Sequence, residues 1–260
     1  MRNVIAVRLN IISDVHARTE VLADVGKNCD AVICLGDLLL YTDYEDPGNG
    51  IMGSLFGSEL NTEFIRLRTA NKFDEARAIA TKKWEELGNR EELIKKEVLK
   101  QYEEIFAQMP TPVYITYGNV DRPEFWPQFK KEGMTVLDGQ VVEIGGLKFG
   151  FVGGGLKTPY RTPYEISDEE FQKNVDALGP VDVLCSHIPP EIPDITFDVV
   201  AKRFERGSEA LLEYIKKYQP KYSFFGHVHQ PLASRTRVGK TECVNVGFFR
   251  GTKRPFVLDF

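Results

Sequence analysis

Residues 9–16 have the sequence Leu-Asn-Ile-Ile-Ser-Asp-Val-His, in which an apolar run leads directly to two side chains that can bind metal. The apolar and β-branched residues predict a strand over Val4–Ile12. Asp14 and His16 follow at the point where this strand ends. Because residues two apart in an extended chain point to the same side, both side chains can face one partner.

The same arrangement of a predicted strand followed by a polar segment recurs along the chain. In an open α/β sheet, loops at the carboxyl ends of parallel strands converge on one crevice. We therefore expect Asp14, Asp37, Asn119 and all four histidines of the sequence to meet there. The further pairs of strand and segment are Ala31–Leu35 with Gly36-Asp37, Pro112–Tyr117 with Gly118-Asn119-Val120-Asp121, Val181–Ser186 with His187, and Tyr222–Phe225 with Gly226-His227-Val228-His229.

Each of these motifs has an ordinary structural explanation when it is taken alone. Gly-Asp and Gly-Asn are common turn dipeptides, and a single histidine after a strand is most often structural. A crowd of imidazoles and carboxylates in one crevice, however, is costly unless a cation lies among them. With divalent metals, the same side chains form a coordination shell of oxygen and nitrogen ligands. The ordered set therefore predicts a metal centre.

The alternation of strand-like runs with helical patterns predicts an α/β fold. Asp138-Gly139 has the composition of a two-residue hairpin turn, leading into a strand over Gln140–Ile144. The remaining predicted strands are Leu147–Val152 and a closing meander of Arg235–Val238, Thr241–Val246 and Pro255–Phe260.

A helical insertion over about 40–110 interrupts what we predict to be a single domain of residues 1–260. It begins with a Gly-rich loop over Asp46–Gly57. Apolar residues at helical spacing then predict two packing helices, the second starting at a capping box of Asn89 and Glu92 and ended by Pro110. A lid or dimer role for these helices is left open. Further helix starts are predicted at Ser167, with Glu170, and at Ser208.

Composition limits the classes of function. The chain has 260 residues and a net charge of −5, which is unfavourable for coating nucleic acid but leaves a nucleotide substrate open. No apolar run approaches the roughly 18 residues of a membrane span. The cysteines form no CxxC pair, which indicates small buried thiols in a reducing compartment. We therefore expect a cytoplasmic protein. The cysteines are Cys29, Cys34, Cys185 and Cys243.

Taken in order, the motifs resemble those of the calcineurin-like metallophosphoesterases. The resemblance extends over residues 14–229 and implies a four-layer αββα sandwich with a dinuclear metal centre. Mn, Fe or Zn suits the mixed ligands, with Mn favoured. By this resemblance, one metal is held by Asp14, His16, Asp37 and His229, and the other by Asn119, His187, His227 and the shared Asp37.

The resemblance also implies a reaction: a metal-bridging hydroxide attacks phosphorus in line. We take Asp37, Asn119 and His227 as the catalytic candidates. One position departs from the family pattern, because Val120 occupies the place where phosphatase members usually carry a histidine that protonates the leaving oxygen. The same loss occurs in a subgroup that acts on phosphodiesters and in a scaffold protein of this fold. It leaves Asp121 a structural or supporting role.

The sequence therefore favours a phosphodiesterase acting on a small phosphate ester. The alternatives are a non-catalytic metal-binding scaffold and a phosphomonoesterase or nucleotide phosphatase, while the charge and Val120 disfavour a nuclease. The loop over 153–164 is a surface connection or a substrate-facing loop. In the second case Lys157, Tyr160 and Arg161 would contact phosphate together with Asn119. Homo-oligomer formation is left open.

Overall fold

The computed structural model describes residues 6–260, in which two sheets pack face to face. Residues 4 and 5 of the first predicted strand lie outside this range, and the strand begins at Arg8. In chain order the strands are β1 (Arg8–Ile12), β2 (Ala31–Cys34), β3 (Val113–Ile115), β4 (Met134–Val136), β5 (Gln140–Ile144), β6 (Leu147–Val152), β7 (Gly155–Leu156), β8 (Glu165–Ile166), β9 (Val183–Ser186), β10 (Phe197–Asp198), β11 (Arg203–Phe204), β12 (Tyr222–Phe225), β13 (Arg235–Val238), β14 (Thr241–Asn245) and β15 (Phe256–Asp259).

Both sheets have a parallel centre, and the first has one antiparallel edge strand while the second has two. The first has the order β15-β1-β2-β3-β4, with β15 antiparallel to β1 and the others parallel. The second has the order β13-β14-β12-β9-β6-β5, in which β14, β12, β9 and β6 are parallel. Short pairs β7–β8 and β10–β11 lie outside these sheets. In each sheet, the carboxyl ends of the parallel strands lie along one edge, and the polar segments follow the strands there.

Helices cover both outer faces, so that the chain forms four layers. Leu9 and Ile33 of the first sheet pack with Phe149 and Phe224 of the second between the sheets. Helix α4 packs on the outer face of the first sheet, and α5 and α7 pack on that of the second. This is the αββα sandwich that the sequence predicts. The helices are α1 (Gly50–Phe56), α2 (Ser58–Thr69), α3 (Phe73–Leu87), α4 (Arg90–Gln108), α5 (Asp168–Asp176), α6 (Pro193–Thr196), α7 (Glu209–Tyr218) and α8 (Phe249–Thr252).

Helices α1 to α4 lie between β2 and β3, where the sequence predicts a helical insertion. The prediction of a loop over Asp46–Gly57 is wrong, because α1 forms within it. Gly53 permits this, since a side chain there would collide with the backbone of Gly48. The capping box is also wrong: Asn89 has a left-handed backbone and its side chain caps no helical N–H. The predicted caps Ser167 and Ser208 are confirmed, each accepting from a backbone amide three residues on.

Two predicted strand connections are wrong because pairing is decided by distant partners. Asp138-Gly139 does not close a hairpin: β4 belongs to the first sheet and β5 to the second. The hairpin is β5–β6, whose turn at Gly145 and Gly146 has φ of 58° and 84°, values that favour glycine at both positions. Likewise, β13 and β14 pair as predicted, but β15 leaves this meander and pairs with β1, where Leu258 joins the core between the sheets.

Of the four thiols that the sequence predicts to be buried, Cys34, Cys185 and Cys243 are buried and Cys29 is half-buried. None of the four cysteines is in a disulfide, and burial raises the pKa of Cys34 to about 12. Within residues 6–260, no helix is both long enough and apolar enough to cross a membrane.

Candidate metal centre

The loops after β1, β2, β3, β9 and β12 carry the predicted ligands. The predicted convergence of these loops involves both sheets, because the first three loops leave the first sheet and the last two leave the second. Backbone hydrogen bonds join loops of the same sheet: the Asp14 amide donates to the Gly36 carbonyl, and the Gly226 amide donates to that of His187, each at 3.0 Å. The His227 amide of the second sheet donates to Asp14 Oδ2 of the first at 3.0 Å and links the two sets of loops. The candidate site therefore lies where the edges of the two sheets meet.

The first group of potential metal ligands contains Asp14, His16 and His229, whose ligand atoms lie within 4.8 Å of one another. His16 Nε2 is 3.2 Å from His229 Nε2. Asp14 Oδ1 lies 3.5 Å from His229 Nε2 and 3.9 Å from His16 Nε2. Asp14 and His16 are buried, while the side chain of His229 keeps 34% of its surface exposed. The group thus opens to solvent on the side of His229.

The second group contains Asp37, His187 and His227, again with ligand atoms within 4.8 Å of one another. Asn119 completes it, since its Oδ1 lies 2.9 Å from both His187 Nε2 and His227 Nδ1. Asp37 Oδ2 is 3.5 Å from His187 Nε2 and 3.8 Å from His16 Nε2. One carboxylate oxygen therefore faces both groups, in the position that the sequence assigns to a shared ligand.

The donor set fits divalent cations. His16 Nδ1 lies 2.8 Å from the Leu39 carbonyl, and His187 Nδ1 lies 2.9 Å from the Leu35 carbonyl. A backbone carbonyl can only accept, so each Nδ1 carries the proton in the neutral ring. The lone pair of Nε2 is then directed into the site. Imidazole and carboxylate ligands that converge in this way suit Zn, Fe or Mn.

Burial and the pairing of Asp37 with His187 shift the pKa values of these two groups in opposite directions. Burial raises the pKa of Asp37, but the charge and hydrogen bond of His187 outweigh burial and bring that pKa below its ordinary value. Burial lowers the pKa of His187, and Asp37 outweighs this and raises it to about 9. For His16 and His227, burial dominates and lowers the pKa, which keeps both rings neutral and able to bind metal.

The backbone at the ligands is held in an uncommon conformation. Asp14, His16, Asp37 and His227 have φ of 58°, 41°, 54° and 68°. A non-glycine residue in this region costs on the order of 1 kcal/mol or more and persists only where its surroundings fix it. Such strain concentrates at functional sites, so it supports the assignment of this edge as the site.

Asp121 fixes two of these loops. Its carboxylate accepts from the backbone amides of Asp37, Leu38 and Gly118 at 2.9, 3.0 and 2.8 Å. Burial, followed by the negative charge of Asp37, raises the pKa of Asp121 to about 7. Because its oxygens are occupied by backbone donors, Asp121 acts here as a structural anchor. Val120 beside it donates its amide to Asp37 Oδ1 at 2.9 Å and packs its side chain against the core under α4.

Replacing Gly118 with alanine is expected to destabilise the fold and displace Asp37. Gly118 has no positive φ, but a Cβ would collide with the carboxylate and backbone of Asp37. Overpacking of this kind costs about 1–3 kcal/mol. The measurement is denaturant unfolding, with Gly48→Ala as the control because its Cβ would meet nothing closer than 3.3 Å. Equal stability of the two variants would contradict this account of the loop.

Two residues of the site have no counterpart in the sequence prediction. Phe248 stacks on His229, with ring centroids 3.9 Å apart and planes at 11°. Arg250 donates to the His16 carbonyl at 2.8 Å and pairs with Asp43. The segment after β14 therefore supports the first group of ligands from outside. The sequence marks this segment solely as the end of a predicted strand at Val246, and no motif there predicts these two contacts.

Apart from Asn119, the predicted phosphate contacts lie in the loop between β7 and β8. Tyr160 is packed between the guanidinium groups of Arg68 and Arg203, whose carbons lie 4.6 and 4.9 Å from the ring centroid. Arg68 belongs to α2, so the helical insertion reaches this loop. Lys157 and Arg161 are exposed. A substrate role for these residues stays a prediction.

A four-layer sandwich with two adjacent metal-ligand groups at its edge has the architecture of the metal-dependent phosphoesterases. The chain belongs to the calcineurin-like phosphoesterase family, whose model matches residues 7–231. It is 27% identical over 176 residues to an uncharacterized protein of Methanocaldococcus jannaschii. The aligned region covers 62% of this chain and 77% of that protein.

Solved structures share the fold. One crystal structure has a TM-score of 0.62 and 21% identity, and the match covers 98% of this chain and 95% of that chain. Protein TT1561 of Thermus thermophilus has a TM-score of 0.53 and 12% identity, with 94% of this chain and 91% of that chain covered. At these identities the likeness concerns the fold alone.

Metal removal is expected to lower the melting temperature by about 5–10 °C. A ligand at 100 times its dissociation constant stabilises the folded state by about 2.7 kcal/mol, and 1 kcal/mol corresponds to about 2–4 °C at this size. The measurement compares melting curves before chelation, after chelation and after Mn²⁺ is restored. An unchanged curve, with metal removal verified by elemental analysis, would mean that the two groups bind no metal tightly.

Proposed function

We propose that this protein is a dinuclear metal-dependent phosphodiesterase that acts on a small phosphate ester. The observation that carries the proposal is the position of Asp37, whose Oδ2 lies 3.5 Å from His187 and 3.8 Å from His16. A carboxylate that faces two groups of ligands can bridge two cations, the arrangement used in two-metal hydrolysis of phosphate esters.

In this proposal each half of the site holds one cation, with Mn favoured. When bound, the pair supplies a nucleophile by lowering the pKa of water and offsets negative charge on the phosphate oxygens. Asp37 joins the two halves, and the tethered rings of His16 and His187 keep their Nε2 atoms aimed inward. The remaining ligands are Asp14 and His229 for the first cation, and Asn119 and His227 for the second.

The preference for diesters rests on Val120. Its side chain is aliphatic and packs against the core, so it offers neither a proton for the leaving oxygen nor a charge for a phosphate. A monoester brings up to two negative charges to the site, whereas a diester brings one. The site therefore lacks, at this position, a group that the more highly charged substrate needs.

The test is a comparison of bis-p-nitrophenyl phosphate with p-nitrophenyl phosphate on Mn²⁺-loaded protein. Both release the same chromophore, so their kcat/KM values compare a diester with a monoester at a constant leaving group. We expect the diester to be favoured by at least about tenfold, a difference of about 1.4 kcal/mol in transition-state stabilisation. A higher kcat/KM for the monoester would instead support a phosphomonoesterase. Two bound metals with no hydrolysis of either substrate would support a scaffold.

A further inference from the structure

The amide of Asn119 has two chemically different ends, of which only the oxygen can bind a cation. Its Oδ1 lies 2.9 Å from both His187 Nε2 and His227 Nδ1. On the opposite side, Nδ2 donates to Thr162 Oγ1 at 3.0 Å. A rotation of the amide by 180° would place an NH₂ group among the imidazoles and remove the oxygen ligand.

The direction of the hydrogen bonds behind Asn119 excludes that rotation. The Thr162 hydroxyl donates to Glu165 Oε1 at 2.9 Å, and the Thr162 amide donates to the same oxygen at 3.1 Å. Because a carboxylate only accepts, the single hydroxyl proton of Thr162 is committed to Glu165. The hydroxyl can then only accept from Asn119, which requires the NH₂ end. The Tyr164 amide holds the backbone carbonyl of Asn119 from the same loop at 2.9 Å.

We propose that Glu165 and Thr162 are positioning residues that orient the Asn119 amide with its oxygen toward the second cation. This inference rests on the proposed function and extends it to the Gly- and Pro-rich loop between β7 and β8. The loop then has a role besides any contact with substrate, because it determines whether Oδ1 or Nδ2 of Asn119 faces the second cation. Partners of this kind, which orient a ligand, typically change metal affinity by about 10–100-fold.

The experiment is a calorimetric titration of chelated protein with Mn²⁺, comparing wild type with Thr162→Val, which keeps the shape and removes the hydroxyl. We expect the affinity of one Mn²⁺ to fall about 10–100-fold and that of the other to be unchanged. Thr162→Ser should restore wild-type binding. Thr158→Val is the matched control, because the Thr158 hydroxyl also donates to Glu165 Oε1 and has no hydrogen bond to Asn119.

The proposal would be overturned if Thr158→Val and Thr162→Val weakened Mn²⁺ binding equally, or if neither weakened it. A second readout needs no metal: the side-chain NH₂ protons of Asn119, followed by NMR, should lose protection from exchange in Thr162→Val and keep it in Thr158→Val. Unchanged protection in Thr162→Val would overturn the proposal. Failure of the proposed function has a different appearance, since wild type itself would then bind fewer than two ions or hydrolyse no diester.

Discussion

Replacing Asp37 with alanine is expected to reduce hydrolysis of phosphodiesters by more than about 10³-fold, because in the proposed centre one carboxylate serves both halves. Asp37 Oδ2 lies within 3.8 Å of the Nε2 atoms of His16 and His187. Without it, each cation of the proposed centre would lose an anionic ligand, and the two positions would lose the group that joins them. Elemental analysis should therefore find metal lost from both positions together.

A conservative variant separates ligation from folding. In Asp37→Asn the amide oxygen can still accept from the Val120 amide, as Oδ1 of Asp37 does at 2.9 Å, so the loop is expected to stay folded. The Asp37→Asn protein should nevertheless lose most of its metal, since the negative charge of the carboxylate is gone. Asp74→Ala, on the exposed surface of α3, is the control that should leave metal content unchanged. Two metals per chain in Asp37→Ala would contradict the bridging assignment.

Val120 is expected to make the reaction strongly dependent on the leaving group. General acid catalysis contributes about 10²–10⁴-fold, and a valine cannot provide it. Log kcat/KM for aryl phosphodiesters should therefore fall steeply as the pKa of the leaving group rises. Val120→His adds a proton donor and should flatten this slope. The increase in kcat/KM should approach about 10²-fold for alkyl esters and should be small for nitrophenyl esters.

Val120→Leu is the matched control, because it changes size without adding a donor and should keep the steep slope. Single-turnover measurements are needed, since slow product release would hide the chemical step. A shallow slope in wild type would show that another residue protonates the leaving group. An unchanged slope in a folded, metal-loaded Val120→His would equally contradict the role given to this position.

Much of the fold could be predicted because local patterns and tertiary structure agree. Strands such as β6 and β12 were located closely, since their apolar runs match their burial. The sheet membership of β4, β5 and β15 could not be predicted, because it depends on partners far along the chain, such as Leu258 opposite Leu9. Helix α1 could not be predicted, because its glycines favour a loop. The helix depends on the close approach of Gly53 to the backbone of Gly48, which the sequence does not reveal.

The candidate ligands were visible in the sequence because each follows a strand in a short motif. The residues that support them were not. Thr162 is 43 positions from Asn119, and Arg250 is 234 positions from His16. Each contact is a single hydrogen bond between segments far apart in the chain, and no periodicity or motif spacing in the sequence predicts it. The structure thus adds the residues that contact the candidate ligands, which the sequence could not identify.

The most direct test of the dinuclear centre is a titration of chelated protein with Mn²⁺ while hydrolysis of bis-p-nitrophenyl phosphate is followed. The account predicts that little activity appears with the first equivalent and that activity rises to a plateau at two equivalents per chain. Asp37→Asn should show no such plateau. Full activity at one equivalent would contradict a two-metal mechanism, and two bound equivalents without hydrolysis would contradict an enzyme.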